Sequence, residues 1–150
     1  VLEMSVDESV HFFENNKKIQ QKLLLLQQVG LGYIKLGQSS DTLSGGEAQR
    51  VKLASFFDQG YQHKPMMFIF DEPTTGLHFH DIQKLLQSFQ ALIENGHSVI
   101  VIEHNQDVIR HADWIIDMGP DGGEGGGYLL YQGDIEGLMK NKESITARYL

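Results

Sequence analysis

The sequence predicts an α/β fold in which helices pack on a mostly parallel sheet. Three observations carry this. Met66–Phe70, after Pro65, and Val99–Ile102 are short continuous apolar runs. Such runs fit strands buried on both faces, as in a parallel sheet. Between them, Ile82, Leu85, Leu86, Phe89, Leu92 and Ile93 recur at helical spacing and form an amphipathic stripe. A third apolar segment, Trp114–Met118, then completes a strand, helix, strand, helix, strand order, the pattern of α/β layers.

The elements follow in order. Ser5-Val6-Asp7-Glu8 is a capping box and should start a helix near Val6. A second helix is expected from about Lys17 to Val29, with Ile19, Leu23, Leu26 and Gln27 at helical spacing and Gly30 as its stop. The stretch 32–41 reads as a loop. Ser44-Gly45-Gly46-Glu47 is a second Ser-x-x-Glu box, opening a helix to about Phe57. The polar stretch 59–64 reads as a loop, Met66–Phe70 as the first strand, and the stripe as a helix closed by Asn95-Gly96. Ser98–Glu103 is the second strand, and Asn105 is placed to cap a short helix to about His111. Trp114–Met118 is the third strand, 119–127 a glycine-rich loop, and Tyr128–Gln132 a fourth strand before two short helices. No internal repeat or dividing linker interrupts the chain. The expected organisation is a helical part over 1–57 and a sheet part over 65–150.

At 150 residues, 41% hydrophobic and 21% charged, the chain has the size and composition of one globular domain. No stretch approaches the roughly 20 apolar residues of a membrane span, and no secretion signal opens it. There are no cysteines, so disulfides and a Cys-ligated zinc site within this chain are excluded. Cytoplasmic residence agrees with both. The net charge is −8, and the densest basic group is Lys17, Lys18 and Lys22. Nucleic-acid binders carry a basic footprint; its absence places most phosphate contacts with any DNA partner outside this chain.

Three features carry chemistry. Leu43–Arg50 sets two glycines at a helix start, where a backbone can approach an anion closely. Free N–H groups and a partial positive charge gather there, and Ser44 adds a hydroxyl. Taken alone, a capped helix is the ordinary reading. Asp71-Glu72 follows the first strand directly, and ligands of open α/β sheets bind beyond the carboxyl ends of strands. In phosphoryl transfer Asp71 can hold Mg²⁺, and Glu72 can orient and polarise the attacking water. Taken alone, an acidic turn is the ordinary reading. His104 ends the second strand and should return to the same edge, where its imidazole could donate to a terminal phosphate. His78 and His80 form a His-x-His, but with no clear third ligand they make a poor metal site.

Leu-Ser-Gly-Gly, then an apolar strand ending in Asp-Glu, then a strand ending in His, resembles the second half of an ABC ATPase domain, a partial P-loop NTPase fold. The wording of Leu43–Ala54, Asp71–His78, Ile102–Asn105, Gly119–Gly127 and Gly30–Gln38 is similar to the UvrA family, the excinuclease damage sensors, in the C-terminal part of their second ATPase domain. The resemblance makes Leu43–Glu47 the signature, Met67–Asp71 the Walker B strand, Glu72 the catalytic carboxylate, His104 the switch histidine and Thr75–His78 the D-loop. Most ABC members carry Gln where this chain has Glu47, a departure that marks a subfamily. No Lys here is followed by Ser or Thr, so the chain contains no Walker A loop.

The resemblance further implies ATP and Mg²⁺ as cofactors, with Ser44, Gly45, Gly46, Glu47 and Asp71 contributing to nucleotide binding. Partner domains work head to tail: Ser44–Gly46 close over a nucleotide held by an opposing ABC domain, while Asp71, Glu72 and His104 serve this domain's own. It implies a UvrA homodimer, UvrB and damaged DNA as partners in nucleotide excision repair, no membrane, and Walker A and zinc modules upstream of Val1. Two alternatives stay open: a transporter ATPase subunit, and a partner-docking module without catalysis in isolation. In the ABC fold the strand leading into Walker A lies between the strand ending at His104 and Trp114–Met118. Without it, a gap or rearranged pairing is expected there.

Overall fold

The computed structural model describes residues 1–58, 64–120, 123 and 126–150. The chain divides into two compact units, Val1–Ile102 and Glu103–Leu150.

In the first unit, helix α1 (Val6–Phe12) opens on the expected capping box. The Ser5 hydroxyl accepts from the Glu8 N–H at 3.2 Å, and the Glu8 carboxylate accepts from the Ser5 N–H at 2.8 Å. Helix α2 (Lys17–Gln28) is capped by Asn16, and the chain turns out of it at Gly30, where φ is +77°. Val6 and Val10 of α1 bury against Leu23 of α2. Helix α3 spans Gly45–Asp58, strand β1 Met67–Asp71, helix α4 Phe79–Glu94 and strand β2 Ser98–Ile102. Ile82, Leu85, Phe89 and Leu92 of the α4 stripe are buried, as the spacing requires. Leu85, Phe89 and Leu92 meet Val29, Leu31, Leu53, Ala54 and Phe70 in the main core.

β1 and β2 pair in parallel from Met67 opposite Ser98 to Asp71 opposite Ile102, so both strands end on one edge. Burial on both faces is not found. Phe68, Phe70, Val99 and Val101 pack on the helical core. The alternate residues Met67, Ile69, Ile100 and Ile102 are 62%, 63%, 45% and 56% exposed. Side chains alternate across a strand, and α2, α3 and α4 supply apolar partners on one side only. The outward face is therefore apolar in sequence but open.

In the second unit, α5 (Gln106–His111) is capped by Asn105, whose side chain accepts from the Asp107 and Val108 N–H groups. Strands β3 (Ile115–Gly119) and β4 (Tyr128–Gly133) pair antiparallel. Helix α6 (Ile135–Leu138) and a 3₁₀ turn at Thr146–Tyr149 complete the unit. The buried Asp117 carboxylate accepts from the Ser144 hydroxyl at 2.5 Å and the Thr146 hydroxyl at 2.9 Å, fastening that last turn to β3. Among the described strands, parallel pairing is thus confined to β1 and β2. The described strands form two separate two-stranded sheets, with β2 and β3 in different ones. Residues 59–63 of the expected polar loop, and 121, 122, 124 and 125 of the glycine-rich loop, lie outside the described residues. No described helix is long and apolar enough to cross a membrane.

Candidate functional site

The end of β1 and the start of α3 meet in the first unit around a cleft of about 420 Å³, lined by Gly45, Gly46, Gln49, Asp71, Glu72 and Thr75. Four of the six sequence candidates in this unit, Gly45, Gly46, Asp71 and Glu72, line it directly.

Gln49 ties the helix to the strand end. Its amide donates to the Asp71 carbonyl at 3.2 Å, and its carbonyl oxygen accepts from the Asp71 N–H at 3.1 Å. The side chain thereby acts as one more strand residue at the ladder's edge, and the Asp71 backbone is satisfied on that side. One residue on, Glu72 sits at φ +45°, a region that non-glycine residues enter at a cost on the order of 1–3 kcal/mol. Its N–H donates to the Ile102 carbonyl at 2.9 Å, and its carbonyl accepts from the Thr75 N–H at 3.2 Å. The turn it opens carries Pro73, which is fully buried. The Asp71 and Glu72 side chains are both exposed.

The two glycines differ. A β-carbon on Gly46 would meet the Glu72 carbonyl at 3.0 Å and the Pro73 carbonyl at 3.4 Å, so only glycine lets α3 lie this close to the turn. A β-carbon on Gly45 would meet nothing within 4 Å. Ser44 and Glu47 form the expected capping box: the Ser44 hydroxyl accepts from the Glu47 N–H at 3.2 Å, and the Glu47 carboxylate accepts from the Ser44 N–H at 2.7 Å. A hydroxyl that accepts in this way still has its own proton to donate.

Behind the cleft lies a polar relay. The other Glu47 oxygen accepts from the Tyr33 hydroxyl at 2.6 Å, and that hydroxyl accepts from Arg50 Nη2 at 3.2 Å. Arg50 is fully buried, and its Nη1 donates to the Pro73 carbonyl and, at 3.5 Å, to that of Thr75. Burial lowers the Arg50 pKa, opposed by Tyr33 and Glu47. Desolvation and the Glu47 hydrogen bond push the Tyr33 phenol up to about 12. Burial alone would raise the Glu47 carboxyl, but the hydrogen bonds from Tyr33 and Ser44 outweigh it and hold the group below its ordinary range.

His104 lies in the second unit, exposed, with its N–H donating to the Glu103 carboxylate at 3.0 Å. His78 directly precedes α4 as its cap residue, and His80 lies in its first turn. Tyr33, Gln49 and Arg50 were not singled out by sequence reasoning. A signal existed for two of them: Gly46, Gln49 and Arg50 stand at i, i+3 and i+4, one face of α3. For Tyr33 no local signal exists.

No family model matches the chain. UvrABC system protein A of Staphylococcus epidermidis is 56% identical over all 150 residues, and that of Aquifex aeolicus 53%. The chain is UvrA-like from end to end. It spans about 16% of the length of these relatives, so it corresponds to one segment of the UvrA protein. Among solved structures, the crystal structure of UvrA2 from Deinococcus radiodurans matches with a TM-score of 0.81 and 41% identity, over 100% of this chain and 18% of that one. A bacterial Atm1-family ABC exporter with ATP bound matches with a TM-score of 0.58 over 99% of this chain and 26% of that one. At 21% identity, the exporter shows the fold alone, and the architecture is consistent with a partial ABC ATPase fold.

Proposed function

We propose that this chain is the signature- and Walker B-bearing portion of an ATPase domain in a UvrA-type damage sensor of nucleotide excision repair, the C-terminal portion of the second such domain. The single observation that carries the reading is the cleft, which sets the α3 glycines beside two exposed carboxylates at a strand end. The donor set fits a magnesium nucleotide. Gly45 leaves open space for an anion, the Ser44 hydroxyl keeps a proton to donate, and the α3 N-terminus favours negative charge.

ATP with Mg²⁺ would supply the phosphoryl bond that is cleaved. Ser44 and the backbone of Gly45 and Gly46 face phosphate held by an opposing ABC domain, as the head-to-tail arrangement of the family suggests. Glu47 completes that motif and anchors Ser44 from behind. On this domain's own side, Asp71 would hold the metal, Glu72 would polarise the attacking water, and His104 would donate to the terminal phosphate. The strained backbone at Glu72 supports this reading, because such strain clusters at active sites. A homodimer, UvrB and damaged DNA are the proposed partners of the whole protein. The chain's net charge of −8 argues that DNA is held through other regions.

Glu72→Gln in the full-length protein tests the assignment. The amide keeps the shape but loses the charge, so nucleotide should still bind while turnover falls by about 10²-fold or more. Turnover near the wild-type rate, with the second ATP site separately inactivated, would assign the base elsewhere. The isolated chain, lacking Walker A, should show no Mg²⁺-dependent hydrolysis.

A further inference from the structure

The carboxylate at position 47 is an unusual neighbour for a phosphate, since its charge opposes that of the ligand. The structure shows where the charge goes. One oxygen of Glu47 is held by the Ser44 N–H and the other by the Tyr33 hydroxyl, which Arg50 supports from the buried side. Arg50 is itself fixed on the carbonyls of Pro73 and Thr75. A continuous chain of hydrogen bonds therefore runs from Ser44, at the phosphate-facing end of α3, to the turn that follows Asp71 and Glu72. Gly76, at φ +78°, brings that turn to the other side of the same hydroxyl: a β-carbon there would meet Tyr33 Oη at 3.9 Å.

We propose that Tyr33, Glu47 and Arg50 form a positioning relay that makes Ser44–Gly46 and the 73–76 turn shift together, so that phosphate engaged at the start of α3 alters the placement of Glu72 across the same cleft. The inference rests on the nucleotide-site reading above and goes beyond it by assigning a role to three residues that touch no reacting atom. Two features make Tyr33 the joint. Its hydroxyl is the hydrogen-bonded link between Glu47 and Arg50, donating to one and accepting from the other. Tyr33 as a residue is 44% exposed, so replacing it by Phe removes one oxygen without emptying a core position. Hydrogen bonds in such a chain polarise one another, and their energies are not pairwise additive.

The test is Tyr33→Phe in the full-length protein, with two readouts. Amide exchange over residues 72–78 needs no nucleotide: the Thr75 and Leu77 N–H groups, which donate to the Glu72 and Thr74 carbonyls, should exchange several-fold faster. In ATP hydrolysis, kcat should fall on the order of tenfold, the worth of a hydrogen bond to a charged group, with KM within about twofold of wild type. Arg50→Lys should act through the same path, so the double variant should be no slower than the slower single. Unchanged exchange and kcat in Y33F, or rate losses that multiply in the double variant, would overturn the relay. If Y33F lowers the melting temperature, Glu47→Ala breaks the same link from its more accessible end, and wild-type exchange and kcat in E47A would overturn it equally. E72Q measured alongside separates the two ideas. If E72Q keeps full turnover, the nucleotide-site reading fails, while exchange at 72–78 still decides whether the relay holds the turn.

Discussion

Gly45 and Gly46 are adjacent, yet they carry different demands. Position 46 is closed by the Glu72 and Pro73 carbonyls, whereas position 45 is open. Gly46→Ala should therefore cost about 1–3 kcal/mol of fold stability, because backbone on both sides must give. Gly45→Ala should change stability by less than about 0.5 kcal/mol and yet reduce hydrolysis at the opposing domain's nucleotide, where the added methyl meets phosphate. Urea unfolding of both variants, with site-resolved nucleotide trapping, checks this; equal stability losses would mean that Gly45 is also a packing residue. Tyr33 gives a pH signature. Burial and the Glu47 hydrogen bond push its phenol up to about 12 in the folded chain, from an ordinary value of 10.0. The folded state therefore keeps a proton that the unfolded state releases, so this contribution is complete below about pH 10 and is lost as pH rises through 12. Absorbance titration of the chain should show a tyrosine component near 12 that is absent in Y33F. The same residue marks a limit of sequence reading: a tyrosine in a loop carries no sign that its hydroxyl will join Glu47 to Arg50 across sequence separations of 14 and 17.

At the scale of elements, what the sequence shows best is local. Ser5 with Glu8, Ser44 with Glu47, and Asn105 are caps that use neighbours within three residues, and all three form as expected. The α4 stripe is equally legible, because a 3.6-residue period decides which side chains share a face. What was not legible is tertiary. An apolar run such as Met67–Phe70 reports that its side chains suit burial, not that partners exist on both sides. Its outward residues lie open because the helices cover one side. The antiparallel pairing of β3 and β4 was missed although a signal existed: the stretch between Gly119 and Tyr128 is too short for the crossover that parallel strands need. The Gln49 clamp on Asp71 spans 22 residues and depends on α3 lying against the strand end. Only the closeness permitted by Gly46 makes it possible.

At the scale of the whole molecule, the described strands form two separate two-stranded sheets, with β2 and β3 in different ones. Each strand of a two-stranded sheet is an edge strand, and each sheet has an apolar face in water, through Met67, Ile69 and Ile102 in one and Ile116, Met118 and Leu129 in the other. Open edges template pairing with another chain, and exposed apolar patches favour association. The 150-residue chain should therefore self-associate, with light scattering rising across a concentration series and Ile69→Thr with Ile100→Thr reducing it. A strictly monomeric chain with Ser98–Ile102 and Ile115–Gly119 strongly protected from exchange would refute this. The β1–β2 pairing also has a kinetic consequence. Met66 and His97, joined at 3.2 Å where that ladder begins, are 31 residues apart in sequence. Parallel strands gain no contacts until such a loop has closed. α4 lies within the loop and shortens it as it forms, on a timescale of roughly a microsecond or less. The helix therefore comes first, and the strand edge that presents Asp71 and Glu72 is assembled only when α4 has brought its two halves within reach.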